Sequence, residues 1–166
     1  MRSVALSCLV TVLSLASSAW AANADDAITK PLKTVIGSIR QNRDLAALKQ
    51  SAGEEQGKLL LGEEWTKGTS AQREEFIKNF QALFGKIAFP KVRQNFENLD
   101  TILYDTPKVD GTTAEVSSII RINHPLKKQE LKLKYSLLKV KGSWQVVDVA
   151  VMGDSMLKGI DRKSVV

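Results

Sequence analysis

This chain of 166 residues contains a single cysteine, Cys8, and a single histidine, His124. Cys8 lies in an N-terminal segment that we expect to be removed, so the remaining chain forms no disulfide and offers no thiol nucleophile. One histidine without a cysteine cannot make a zinc site. His124 precedes a proline between two predicted strands, and no partner residue lies near it in the sequence. We therefore predict no catalytic histidine, no metal and no cofactor.

A long hydrophobic run is also missing. The apolar run from Val4 to about Ala16 is too short to span a bilayer. It follows a minimal charged region at Arg2 and precedes the small-x-small triplet 19–21, which is typical of a cleavage site. The pattern predicts an exported protein whose signal peptide covers residues 1–21.

The remaining residues, 22–166, have a length that suits one domain with a core of its own. A second possible cleavage triplet leaves the mature start open between Ala22 and Asp25. Removing the leader removes Arg2 alone among the charged residues, so 24 Lys+Arg become 23 against 18 Asp+Glu, a net charge of +5. This excess favours an anionic partner.

Nucleic acid is not the partner that we expect. Stacking aromatic residues are not interleaved with the lysines, and the predicted signal peptide directs the chain away from nucleic acid. A phosphate-binding glycine loop or another nucleotide motif is also missing.

Apolar residues at helical spacing predict that the first half of the chain is helical. The predicted helices are one from Ala27, one over 44–49 with Asp44 as N-cap, one over 54–65, and one from Thr69 to a boundary at Phe89 before Pro90, with a shorter piece through Phe96. Thr69 and Gln72 have the spacing of a capping box. One face of this fourth helix is predicted to be buried, and it carries Phe76, Phe80, Leu83, Phe84 and Ile87.

After Asn98 the apolar period changes to two, which indicates strands. The predicted strands are 101–107, 112–122, 130–140 and 143–151. Asp110-Gly111 and Lys141-Gly142 predict tight hairpin turns, and 123–129 is predicted to link the two hairpins. The sequence thus predicts an α+β fold in which helices precede a four-stranded antiparallel sheet.

The last two predicted strands differ in their apolar pattern. On the third, the apolar face carries Leu131, Leu133, Tyr135 and Leu137, and the polar face carries Lys132 and Lys134. On the fourth, strict alternation puts Gln145, Val147, Val149 and Val151 on one face and Trp144, Val146, Asp148 and Ala150 on the other. Apolar residues on both faces predict that the fourth strand is covered on both sides.

The C-terminal third carries a set of spaced residues that resembles a known family. The set is Tyr135, the turn Gly142-Ser-Trp144, Asp148-Val149, Gly153-Asp-Ser155, and Arg162 seven residues after that serine. It resembles the MlaC-like family of periplasmic lipid carriers, also called the toluene-tolerance or ABC-transporter auxiliary family. The resemblance implies helices that wrap a strongly curved sheet, similar in shape to the nuclear-transport-factor cone, around a hydrophobic cavity for phospholipid tails.

The resemblance also implies a function. The chain would be a monomeric, non-enzymatic periplasmic shuttle that carries phospholipid between an inner-membrane ABC transporter complex and an outer-membrane lipoprotein complex, with transient contact to the membrane surface. Such carriers serve outer-membrane lipid asymmetry and tolerance of organic solvents. One alternative is a family member that binds hopanoids or other solvent-like lipids. Another is an isomerase in a cone-shaped pocket, with Asp148 as base and Tyr104 or Tyr135 as oxyanion donor.

Residues at the predicted apolar faces become candidates for the lining of the cavity that the resemblance implies. They are Trp65, Phe76, Phe80, Leu83, Phe84, Tyr104, Ile120, Leu133, Tyr135, Val147 and Val149. The alternative interpretation, an ordinary core under one face of the sheet, stays open. Asp148 is expected to have a structural role, because a carboxylate in an apolar strand needs partners, and Ser155 and Arg162 are the candidates.

A basic stretch accompanies the third strand. It contains Lys127, Lys128, Lys132, Lys134, Lys139 and Lys141, with Glu130 as the one acidic residue among them. The stretch is either a solvated sheet face or a docking surface for anionic lipid head groups or an acidic partner.

Overall fold

The computed structural model describes residues 16–124 and 127–163, with side chains described for 25–123 and 128–159. Most of the predicted signal peptide lies outside these residues, as do Pro125 and the side chains of His124 and Arg162. Within these ranges the chain forms six helices: α1 (Ala16–Arg40), α2 (Asp44–Leu48), α3 (Gly53–Leu61), α4 (Glu64–Lys67), α5 (Ser70–Asn95) and α6 (Met156–Lys163). In the described ranges, no helix combines the length and the apolar character that a membrane span requires.

Helix α1 begins at Ala16 rather than at the predicted Ala27. The added segment is rich in alanine, the residue with the highest helix propensity, so the helix extends toward the N-terminus. Pro31 consequently lies inside the helix and not in its first turn. The buried face of α1 carries Ile28 and Leu32, which pack on the sheet.

Two predictions about the short helices were wrong. Arg43 is the N-cap of α2, so Asp44 is the first helical residue and not the cap. Its carboxylate instead accepts a hydrogen bond from Arg93 Nη1 of α5 at 2.7 Å. The single helix predicted over 54–65 is two helices, α3 and α4, because Gly62 adopts φ +54° and ends α3 there.

Helix α5 begins as predicted, with a complete capping box. Gln72 N donates to Thr69 Oγ1 at 3.3 Å, and Thr69 N donates to Gln72 Oε1 at 2.8 Å. The predicted boundary at Phe89 was wrong, because α5 continues through Pro90 to Asn95. Proline removes one backbone hydrogen bond from a helix, and here the burial of Phe89 offsets that loss.

The sheet is antiparallel, as predicted, but it has six strands rather than four. The strands are β1 (Leu99–Tyr104), β2 (Lys108–Asp110), β3 (Thr113–His124), β4 (Lys127–Val140), β5 (Ser143–Val151) and β6 (Asp154–Ser155). Their order is β1-β3-β4-β5-β6, and β2 also pairs with β3. The first predicted strand, 101–107, corresponds to β1, which ends at Tyr104, and the short β2 begins only after Pro107, which cannot donate to the ladder. The short β6 gave no periodic signal.

The connections differ in part from those predicted. Lys141 and Gly142 have φ +48° and +85°, as a two-residue turn of type I′ requires. The other turn is shifted by one residue, because Asp110 pairs with Thr113 and Gly111, with φ +56°, is the first turn residue. Most of the predicted link 123–129 belongs to strands instead. Strand β3 extends to His124, β4 begins at Lys127, and Asn123 pairs with Lys128.

A β-bulge at Val147 changes the faces of β5. Ser136 pairs with Asp148 while Leu137 pairs with Val146, so Val147 is the extra residue. Beyond the bulge the alternation is reversed, and Val149 joins Val146 on the core face. The predicted strict alternation along this strand was therefore wrong.

The main core lies between α1 and one face of the sheet. It is formed by Ile28, Leu32, Ile36, Phe96, Ala114, Val116, Ile120, Ile122, Leu133, Tyr135, Leu137 and Val146. The predicted apolar face of the third strand, now β4, is confirmed by this set. A second, smaller cluster joins the helices to one another through Ile39, Ala47, Ala88 and Phe89.

Two helical glycines provide a matched test of packing. A Cβ at Gly57 of α3 would collide with the indole ring of Trp65, whereas a Cβ at Gly37 of α1 would meet nothing within 4 Å. We expect Gly57→Ala to lower the free energy of unfolding by about 1 to 3 kcal/mol through overpacking. Gly37→Ala should raise it by about 0.5 to 1 kcal/mol through backbone entropy. Denaturant unfolding of both variants checks this, and equal effects would contradict the described packing of Trp65.

Candidate functional site

An apolar cavity of about 80 Å³ lies beside the bulge of β5, among α1, α2, α5 and α6. Its lining residues are Val35, Ala47, Leu48, Ser51, Gln56, Phe80, Gln81, Phe84, Phe89, Val146, Val147, Asp148, Val149, Met156 and Leu157. Most of these side chains are aliphatic or aromatic. The chemistry of the cavity therefore suits a hydrophobic ligand.

At this edge of the sheet, backbone N–H and C=O groups of β5 form hydrogen bonds to residues that are not part of a neighbouring strand. Val146 N donates to Gln50 O at 2.7 Å, and Ala52 N donates to Val146 O at 2.8 Å. The side chain of Gln56 donates from Nε2 to Val147 O at 2.9 Å. These bonds cover the sheet edge, so the cavity beside it presents mainly apolar groups.

A row of aromatic rings leads along α5 to the cavity. It contains Trp65, Phe76, Phe80, Phe84 and Phe89, with successive ring centroids 6.2, 6.0, 6.0 and 6.1 Å apart. Trp65 is buried against α3, and Phe76, Phe80 and Phe84 are half-buried. The row therefore connects the helical half of the protein to the cavity by continuous apolar contact.

Asp148 fastens α6 to the sheet. Its carboxylate accepts hydrogen bonds from Val149 N at 2.8 Å, Ser155 Oγ at 2.5 Å and Leu157 N at 3.1 Å. Ser155 Oγ in turn accepts from Lys158 N at 3.1 Å, in the position of an N-cap. Ser155 is one of the two partners considered from the sequence, and the side chain of the other, Arg162, lies outside the described residues.

The arrangement needed for the isomerase alternative is not formed by Asp148 and Tyr135. Asp148 pairs across the ladder with Ser136, and Tyr135 pairs with Val149, so the carboxylate and the phenol lie on opposite faces of the sheet. The carboxylate is also occupied by its three hydrogen bonds. In the part of the chain that the structure describes, no three His, Cys, Asp or Glu side chains are grouped as metal ligands would be.

The two tyrosines belong to the main core. Their ring centroids are 6.2 Å apart, and Tyr135 Oη lies 3.1 Å from the buried Ser118 Oγ. Tyr104 Oη is buried without a hydrogen-bond partner among the described residues. Burial raises the pKa of Tyr104, and the pKa of Tyr135 is raised by burial against a smaller lowering by the Ser118 hydrogen bond.

The structure brings together four of the eleven lining residues predicted from the sequence, and these are Phe80, Phe84, Val147 and Val149. Tyr104, Ile120, Leu133 and Tyr135 lie in or against the main core, and Trp65 and Phe76 continue the aromatic row beyond the cavity. Leu83 is 51% exposed and does not face the cavity. The predicted burial of the whole α5 stripe was wrong for Leu83 and for Ile87, which is also 51% exposed.

Several lining residues had escaped the sequence interpretation. Val35 lies within the predicted helix from Ala27, where nothing in the sequence distinguishes it from a core residue, and Phe89 stands at the predicted helix boundary before Pro90. Met156 and Leu157 reach the cavity because Asp148 holds the first turn of α6 against the sheet. In the sequence, the signal for this contact between α6 and the sheet was the carboxylate of Asp148 in an apolar strand, with Ser155 seven residues later.

The basic face of β4 is partly neutralised. Lys134 Nζ lies 2.8 Å from Glu115 Oε1, and Arg121 Nε lies 2.9 Å from Glu130 Oε1. Lys139 Nζ lies over the ring of Trp144, 5.8 Å from its centroid. The outer sheet face therefore has less unpaired positive charge than the sequence alone indicates.

Comparison with known proteins agrees with this geometry. The model of the family described as MlaC protein matches residues 38–160, well over half of the chain. The fold is similar to that of a phospholipid-binding protein from Ralstonia solanacearum, solved in complex with a phospholipid, at 16% identity and a TM-score of 0.65 over 84% of each chain. A SEC-C motif containing protein from Rhodopseudomonas palustris matches at 10% identity and a TM-score of 0.41, over 76% of this chain and 89% of that chain. No curated protein sequence matches significantly.

The two core tyrosines should respond oppositely to loss of the hydroxyl group. Tyr135→Phe leaves the buried Ser118 hydroxyl unpaired and should cost about 1 to 3 kcal/mol of unfolding free energy. Tyr104→Phe removes a hydroxyl without a partner among the described residues and should leave stability unchanged or raise it. Chemical denaturation at neutral pH measures both. A larger loss in Tyr104→Phe than in Tyr135→Phe would contradict the assigned hydrogen bond.

Burial of these phenols also predicts a loss of stability in alkali. The pKa of Tyr104 is raised above its ordinary value of 10.0 in the folded protein, so the unfolded chain releases this proton first as the pH rises. The contribution is complete below pH 10.0 and is lost as the pH rises toward the folded-state pKa. The free energy of unfolding should fall as the pH rises above 10.0, and it should fall less steeply in Tyr104→Phe. An equal slope in the variant would contradict the burial of this phenol.

Proposed function

Because this chain belongs to the MlaC family, we propose that it binds phospholipid and carries it between an inner-membrane ABC transporter complex and an outer-membrane lipoprotein complex. Phospholipid as the ligand is supported by the similarity of fold to a phospholipid-binding protein solved with a phospholipid. The two complexes are the partners that the family resemblance implies.

The observation that carries this proposal is a continuous apolar interior at the cavity. Val35 lines the cavity and packs against both hydrophobic clusters, and Val146 and Val149 line the cavity from the core face of β5. Acyl chains that enter beside β5 would therefore extend along the aromatic row or toward the main core without crossing a polar layer. The cone-shaped enclosure expected from the sequence is part of this proposal.

Ligand binding must enlarge the cavity. Its volume of about 80 Å³ is well below the roughly 300 Å³ at which small-ligand pockets begin. Among the described residues, the side chains of α5 make polar contacts with α1, α2 and Ser51 but none with the sheet. Separating α5 from β5 thus breaks mainly apolar contacts. Because Ser51 lies in the segment that is bonded to Val146, the hydrogen bond from Gln81 Nε2 to Ser51 Oγ would also be lost.

Acyl chains can offset that separation. Each methylene group transferred from water contributes about 0.8 kcal/mol, so two chains supply enough free energy to replace the contacts between α5 and β5. Specific polar recognition of the head group is not needed for affinity. The few polar groups of the lining, Ser51, Gln56, Gln81 and Asp148, fit this arrangement because they already form hydrogen bonds within the protein. Gln81 Nε2 donates to Ser51 Oγ at 2.9 Å, Gln56 Nε2 donates to Val147 O at 2.9 Å, and Asp148 accepts three hydrogen bonds.

The proposal includes a location and a mature form. Residues 1–21 are a cleaved signal peptide, and 22–166 form one lipid-binding domain that works as a monomer in the periplasm. Transient contact with the membrane surface accompanies loading and release, in support of outer-membrane lipid asymmetry and solvent tolerance. The protein acts as a carrier and not as an enzyme, a role supported by the occupied carboxylate of Asp148.

We expect the purified mature protein to contain phospholipid, because acyl chains removed from water contribute about 0.8 kcal/mol for each methylene group. Mass spectrometry of an organic extract identifies the ligand, and transfer of labelled phospholipid from vesicles measures uptake. A protein that contains no lipid and takes none up contradicts the proposal. Recovery of a hopanoid in place of phospholipid would show that the protein binds the alternative class of lipid considered from the sequence.

A matched pair of valine substitutions tests the position of the site. Val147→Phe adds volume inside the cavity and should reduce phospholipid uptake severalfold while the protein stays folded. Val109→Phe makes the same change on β2 at a side chain that is 54% exposed and should leave uptake unchanged. Equal uptake by both variants would place the ligand elsewhere.

A further inference from the structure

Helix α5 has an unusual distribution of charge. From Phe76 to Phe96 the chain contains three lysines and one arginine but no acidic residue. Arg93 is paired with Asp44. Among the described residues, Lys78, Lys86 and Lys91 form no ion pair, and all three are exposed. This part of the helix therefore carries positive charge that its surroundings do not neutralise.

Two large apolar side chains are exposed on the same side. Leu83 and Ile87 are four residues apart, so they lie one above the other on the helix, and each is 51% exposed. Lys86 and Lys91 are exposed near them on the helix surface. Lys86 follows Leu83 by three residues and Lys91 follows Ile87 by four, so these four side chains are neighbours on the helix surface, and we refer to Leu83, Lys86, Ile87 and Lys91 as the outer face of α5.

The neighbouring flank of the same helix forms a wall of the cavity, where Phe80 and Phe84 line it. Leu83 follows Phe80 by three residues and Ile87 follows Phe84 by three, so the exposed pair lies directly beside the cavity wall on the helix surface. A surface that binds the outer face of α5 would therefore contact the helix next to the side chains that line the cavity.

We propose that the outer face of α5 docks on the surface of an anionic phospholipid bilayer, with Leu83 and Ile87 inserted among the head groups and the lysines bound to lipid phosphates. The inference rests on the proposed function in one respect, the expectation that the protein comes into contact with the surface of lipid bilayers. It deepens that function by naming the surface of contact.

Charge and composition favour a bilayer over a protein partner. Apolar residues flanked by lysines, without acidic residues, are typical of helices that lie in the membrane interface. Lysine is depleted from protein interfaces, because burying a flexible ammonium group is costly. Each lysine near an anionic membrane surface adds about 1 kcal/mol of binding, which is a factor of about five in affinity.

A second exposed leucine, on α3, lacks the positive surroundings of the outer face of α5. Leu59 of α3 is 59% exposed, but its helix carries Glu54 and Glu55, and Lys58 is paired with both. An anionic surface would repel such a helix. Helix α5 also carries two glutamates, Glu74 and Glu75, but they lie about two turns before Leu83. Around Leu83 and Ile87, unlike around Leu59, the exposed apolar groups therefore have lysines and no acidic residue beside them on the helix.

The test measures sedimentation of the mature protein with vesicles of phosphatidylcholine and phosphatidylglycerol, and with vesicles of phosphatidylcholine alone. We expect binding to the anionic vesicles that weakens with salt. Leu83→Ser/Ile87→Ser should weaken it by about tenfold or more, because inserted methylene groups are lost. Lys86→Gln/Lys91→Gln should weaken it by about 30-fold, two factors of about five, and reduce the salt dependence.

Two control variants carry the same kinds of change elsewhere. Leu59→Ser and Lys132→Gln/Lys134→Gln should bind anionic vesicles as the unmodified protein does. Circular dichroism verifies that each variant is folded. Binding that survives both α5 variants but is lost in Lys132→Gln/Lys134→Gln would assign docking to the sheet and overturn the proposal. Failure of the unmodified protein to bind anionic vesicles would also overturn it and leave the outer face of α5 to a protein partner.

Extraction of lipid from the same samples separates this inference from the proposed function. A protein that contains phospholipid but does not sediment with anionic vesicles contradicts the docking surface alone. A protein that sediments through the outer face of α5 but contains and accepts no lipid contradicts the carrier function alone.

Discussion

The hydrogen bonds between Val146 and the segment Gln50–Ala52 connect the two halves of this protein. The helices come first in the chain and the sheet comes last, so the halves must meet through contacts that are distant in sequence. Val146 supplies both its N–H and its C=O to this segment, and Gln56 adds a bond to the next residue. Because these bonds satisfy the edge of β5, the helices lie close to the bulge and enclose an apolar space between them.

Local signals predicted much of the fold. The capping box at Thr69, the turn at Lys141-Gly142 and the apolar face of β4 each depend on neighbouring residues, and the structure has all three. Two of the predictions that were wrong needed information from distant residues. Pro90 does not end α5 because tertiary packing holds Phe89 in place, and Val147 forms a bulge because β4 and the segment Gln50–Ala52 both pair with β5.

The candidate site was predictable only in part for the same reason. Periodicity found the aromatic residues of α5 and the valines of β5, but it cannot tell a cavity from a core. Val35, Met156 and Leu157 come from the two ends of the described chain and reach the cavity through packing and through the carboxylate of Asp148. The family resemblance supplied the expectation of a lipid, and the structure supplied an apolar cavity between the helices and β5.

The lack of side-chain polar contacts between α5 and the sheet, among the described residues, has a consequence for selectivity. Dispersion forces between hydrocarbon groups have no preferred direction, so α5 has no single distance from β5 at which its contacts are complete. Ligands of different girth would displace the helix by different amounts at gradually changing cost. Selection among hydrophobic molecules would then follow their bulk rather than any pattern of functional groups, and a mixture of acyl-chain lengths and degrees of unsaturation could share one carrier.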